Sequence, residues 1–67
     1  MKMADIRKLS TRGAVSDQIQ IIFAKHRVSP SPGEEGFWDG VAEVSKLNYS
    51  DGMTLYRLGK RWDKLSA

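Results

Sequence analysis

Ile19, Ile22, Phe23 and His26 fall on one side of a helix drawn over Asp17–His26, with Val15 just before them. Apolar positions that recur at three- and four-residue steps mark a helix with one buried stripe. This segment is the core helix of the chain. Ser16 or Asp17 caps it, and Asp17 sits at the positive end of its dipole. Ile21 falls outside the stripe and is left to touch a second element. Upstream, Ile6 and Leu9 predict a short helix over Ala4–Leu9, closed by Arg12-Gly13 with Gly13 as a left-handed stop. Ala14-Val15 reads as a brief extended link. Downstream, Val28-Ser29-Pro30-Ser31-Pro32-Gly33 is a loop, because two prolines remove backbone donors and forbid a continuous helix. A third helix is predicted over Glu34–Leu47. Glu34 and Glu35 occupy its first turn, where negative charge is favoured. Phe37, Val41, Val44 and Leu47 form its stripe, with Trp38 at the edge.

The stretch Tyr49–Trp62 has two readings, and the choice decides the fold. In the first, Ser50-Asp51-Gly52 is a three-residue hairpin loop with Gly52 in the left-handed position. Strands then run over Leu47–Tyr49 and Met53–Leu58, which are rich in strand-favouring residue types. Gly59 ends the second strand, and Lys60–Leu65 form a last short helix. In the second reading Ser50 caps a helix over residues 50–65. Leu55, Leu58, Trp62 and Leu65 then share one stripe, and Arg57, Lys60, Arg61 and Lys64 lie opposite. Gly52 and Gly59 weigh against it, since a glycine inside a helix costs about 1 kcal/mol relative to alanine. The hairpin is preferred. The expected fold is α+β, three helices and a C-terminal β-hairpin around Asp51-Gly52; the alternative is an all-α helix-turn-helix bundle.

The chain has 67 residues, which bounds it to a single domain, 1–67, near the lower limit of independent folding. It contains no cysteine, so disulfides and thiolate metal sites are excluded, and a cytoplasmic protein is expected. No apolar run is long enough for a membrane span. The net charge is +3, and its placement says more than its size. Lys2, Arg7, Lys8 and Arg12 make the first dozen residues basic. Glu34, Glu35, Asp39, Glu43 and Asp51 make the middle acidic. Arg57, Lys60, Arg61 and Lys64 make the end basic again. Either these blocks pair across the fold, or the two basic ends converge into a patch for an anionic partner.

Catalysis is not expected. His26 is the single histidine; it ends the core helix with no nucleophile or acid beside it in sequence, and contact with the helix dipole accounts for it. Glu35, Asp39 and Glu43 at four-residue spacing read as a solvated face rather than a cation site. Gly33, Gly36 and Gly40 lack the strand and lysine of a phosphate-cradling loop. No cofactor and no metal is expected.

The order short helix, brief extended link, helix, turn, helix, hairpin resembles a winged helix-turn-helix domain. Arg12-Gly13-Ala14-Val15-Ser16-Asp17 looks like the passage from that family's first helix through its first short strand to its capped second helix. Ala24-Lys25-His26-Arg27-Val28-Ser29 resembles the turn before the recognition helix, and Asn48–Leu58 the wing. The resemblance implies a small non-enzymatic nucleic-acid-binding or transcription-regulating domain, alone or as a homodimer. The third helix, however, would expose Glu34, Glu35, Asp39 and Glu43 with only Lys46 positive, which phosphates repel. Phosphate contacts are therefore expected from Arg57, Lys60, Arg61 and Lys64 and from Arg12, with Arg7 and Lys8 beside it. In the all-α alternative the last helix is the basic one, and Thr54, Arg57, Lys60 and Arg61 would face DNA. The competing expectation is a protein-binding adaptor or inhibitor, of the kind phages and plasmids carry. It would dock on a larger host protein complex through Glu35, Trp38, Asp39 and Glu43, with Trp38 as anchor.

Overall fold

Three helices carry the fold in the computed structural model, which describes residue 6 and residues 8–30 and 32–65. They are α1 (Arg12–Lys25), α2 (Phe37–Leu47) and α3 (Tyr49–Lys64). Ile6 and Lys8 are also helical. The rest of the helix expected over Ala4–Leu9 falls mainly on residues outside the described set. No strand occurs among the described residues. The architecture is all-helical, which corrects the α+β expectation and removes the wing.

Thr11 starts α1: its hydroxyl accepts from the Ala14 N–H at 3.1 Å. Gly13 therefore stands in the first turn of a helix and does not stop one, and Ala14-Val15 is helical rather than extended. The extra turn places Val15 in register with Ile19 and Phe23, all three buried. The helix ends at His26 in a left-handed cap. Arg27, at φ 58°, donates to the Ala24 carbonyl, and the Val28 N–H donates to Phe23 O at 2.9 Å. Helix α2 begins at Phe37 rather than at Glu34. Gly36, at φ 89°, turns the chain there in a conformation that needs no Cβ. Phe37, Val41 and Val44 are buried as expected, but Leu47 ends the helix 72% exposed.

Asn48 alone separates α2 from α3. Its side-chain oxygen accepts from the Asp51 N–H at 3.0 Å, so the cap lies two residues before Ser50. Helix α3 then runs through both glycines that had counted against it. They are the points where α2 comes closest. A Cβ on Gly52 would stand 2.5 Å from the Ser45 backbone, and one on Gly59 would stand 2.7 Å from the Trp38 ring and 2.8 Å from the Phe37 ring. Ser45 lies opposite Gly52 and Phe37 opposite Gly59, so α2 and α3 run antiparallel. The propensity cost of about 1 kcal/mol per glycine is offset by close packing along this seam. Leu55 and Leu58 are fully buried, with Trp62 and Leu65 packed against the core.

Helix α3 packs against both α1 and α2. Phe23 and Phe37 meet edge to face at 5.6 Å where α1 and α2 approach the centre. The two ends of the antiparallel α1–α3 pair are fixed by polar contacts. At one end the Arg12 guanidinium donates to the Trp62 and Leu65 carbonyls and lies 4.0 Å over the Trp62 ring. At the other, Lys25 and His26 both meet Asp51, at 3.1 and 2.8 Å.

Candidate functional site

Burying α3 on α1 and α2 fixes which of its residues face outward. Gly52, Leu55, Leu58 and Gly59 point inward. One hundred degrees per residue then puts Tyr49, Met53, Tyr56, Arg57, Lys60, Lys64 and the carboxylate of Asp63 together on the outer side. All are exposed except Met53, which is half-buried. Lys60 Nζ lies 5.6 Å from the centre of the Tyr56 ring. On the other flank, Tyr56 meets Trp38 edge to face at 5.8 Å. Trp38 is in turn held against Phe37 at 4.9 Å and over Gly59. The surface is therefore basic and aromatic, with two rings braced by the core and cations beside them.

The structure divides the arginines and lysines proposed from sequence. Arg57, Lys60 and Lys64 are exposed and form no ion pair with a described residue. Arg12 and Arg61 are half-buried and engaged with backbone. Arg12 closes the C-terminal end of α3, where a cation is favoured by the helix dipole. Arg61 Nε donates to the Leu9 carbonyl at 3.1 Å and ties the N-terminal segment to α3. Thr54 donates to the Ser50 carbonyl on its own helix at 3.1 Å. Lys8 is exposed, and Arg7 lies outside the described residues.

The acidic residues grouped with Trp38 do not share its surface. Trp38 leans toward Tyr56 on α3. Asp39 and Glu43 line an open depression of about 340 Å³ on the other side of α2, with His26, Pro30, Gly40 and Leu47. Glu35 lies in the exposed turn before α2. Glu35, Asp39 and Glu43 do not converge on a point. Among the described residues no group of three His, Cys, Asp or Glu side chains is placed to hold a metal ion.

His26 and Asp51 form the pair that sequence order did not reveal. They are 25 positions apart and share Asp51 Oδ2 at 2.8 Å. The hydrogen bond from His26, then that from Lys25, holds the Asp51 carboxyl below its ordinary range. The same oxygen receives Lys25, so this carboxylate joins the end of α1 to the start of α3. No helix is long and apolar enough to cross a membrane among the described residues. Comparison of the chain with protein-family models, with curated proteins and with solved structures returns no match.

Proposed function

We propose that this domain binds nucleic acid through the outer face of α3. The observation that carries the reading is the placement of Arg57, Lys60 and Lys64. They follow one another at three- and four-residue steps on a single exposed face and form no ion pair with a described residue. Cations in such a row release counterions from a phosphate backbone when they bind it. The acidic side chains Asp39 and Glu43 lie around the depression instead, where they do not oppose a strand on α3. Binding is a matter of phosphate contact and charge; no chemical step is involved.

Amide chemical shifts followed while a short duplex of arbitrary sequence is added at low salt test this reading. Perturbations are expected over residues 53–64 and in the Trp38 side chain. Perturbations centred on His26–Pro30, Asp39 and Glu43, or none at all, would contradict it.

A further inference from the structure

Trp38, Tyr49 and Tyr56 expose 42%, 74% and 45% of their surface. Tyr49 and Tyr56 stand on the outer side of α3 and Trp38 on the adjoining α2; large aromatic side chains left in solvent with cations beside them are the composition of a stacking platform. The rings are not loosely placed. Trp38 is seated on Gly59 and Phe37, and Tyr56 is braced against Trp38, so little ordering is needed when a planar group arrives. Lys60 stands beside the Tyr56 ring, with Trp38 on its other flank, and Arg57 is exposed on the same outer side of the helix. Tyr49 lies two turns away, about 10 Å along the helix axis, and offers another ring on the same face.

We propose that this face takes an unpaired nucleic-acid strand, with a base stacked on the Tyr56 ring that Trp38 braces and the flanking phosphates on Arg57, Lys60 and Lys64. The inference rests on the phosphate-binding reading above and adds the state of the strand. A duplex hides its base faces within the stack, so exposed rings gain nothing from it; an unpaired strand presents them. The chain path agrees. Only Asn48 separates α2 from α3, whereas a helix-turn-helix uses a turn of about 3–4 residues to set its second helix into the major groove. An acidic protein would satisfy the lysines, but it would leave the rings without planar partners.

The test compares an oligothymidylate of about a dozen nucleotides with a duplex of equal length, at the same low salt. The wild-type protein, Tyr56→Ala and Tyr56→Phe are each titrated, and circular dichroism checks that each is folded. Tyr56 is exposed, so both variants should retain the helices. The wild-type protein is expected to bind the single strand about tenfold more tightly than the duplex, and Tyr56→Ala to lose about that factor on the single strand only. Tyr56→Phe, which keeps the ring, is expected to match wild type. Equal affinity for both forms, or an unchanged Tyr56→Ala, overturns the stacking proposal and leaves the phosphate-binding reading standing. No binding of either form overturns both and leaves an acidic protein surface as the occupant.

Discussion

At Gly52 a single hydrogen in place of a side chain decides how closely two helices can lie. The Ser45 backbone stands 2.5 Å from where a Cβ would be, and backbone cannot move aside as a flexible side chain does. Gly52→Ala is expected to cost more than about 2 kcal/mol, read by denaturant unfolding. Gly13→Ala is the control: nothing lies within 4 Å of that position, and the helix propensity gain should raise stability by up to about 1 kcal/mol. Arg27 is the reverse case. It holds a left-handed conformation that favours glycine, so Arg27→Gly is expected to stabilise by about 0.5–1 kcal/mol in the same assay. The sequence shows the cost of each glycine directly. The gain from close approach depends on a residue of another helix, Ser45 or Phe37, so the hairpin looked preferable to the helix. Asp51 was misplaced for the same reason. Read as a hairpin residue, it is in fact the acceptor joining two helices. Its folded carboxyl titrates below the ordinary value of 3.8. The stabilisation it gives is therefore complete above that value and is lost as pH falls through the lower folded value. Asp51→Asn should lower stability by about 1–2 kcal/mol at pH near 7, and the difference from wild type should shrink as the pH drops below about 4. Denaturant midpoints for both proteins at the two pH values measure this.

The elements were legible to different degrees. The stripe of α1 was plain, because Ile19 and Phe23 repeat at helical steps, but its start was not. Thr11 and Ser16 are both competent caps by residue type, and only burial of Val15 separates them. The stripe Leu55, Leu58, Trp62 was also visible within the less favoured reading, and α3 follows it. What could not be read was which cations serve structure. Arg12 is fifty positions from Trp62, and its hydrogen bonds to the end of α3 follow from the antiparallel packing of α1 on α3. Arg12→Ala should lower stability by about 1–2 kcal/mol and speed amide exchange over residues 61–65. Arg57→Ala, Lys60→Ala and Lys64→Ala should each stay within about 0.5 kcal/mol of wild type. Equal destabilisation by all four variants would show that the division between structural and surface cations is wrong.

At the scale of the whole molecule, the described residues of the basic ends and the acidic middle do not pair with one another wholesale. Lys25, His26 and Asp51 account for the ion pairs among the described residues, and they join helix ends. Arg12 works on the carbonyls of Trp62 and Leu65. Three exposed cations of α3 stand beside the aromatic pair, with Lys8, Arg27 and Lys46 exposed elsewhere, and Asp39 and Glu43 lie on a separate side of α2. Trp38 had been grouped with its acidic sequence neighbours, yet α3 draws it to the basic face, which only the packing of Gly59 could have revealed. The central claim, that Arg57, Lys60 and Lys64 form one phosphate-binding face, is tested most directly by the salt dependence of binding. The logarithm of the association constant for a duplex should fall linearly with the logarithm of salt concentration, with a slope of about −2.7 for three phosphates. In the folded triple variant Arg57→Ala, Lys60→Ala, Lys64→Ala the slope should approach zero. A triple variant that keeps the wild-type slope, or a wild-type protein that does not bind at low salt, would contradict the account.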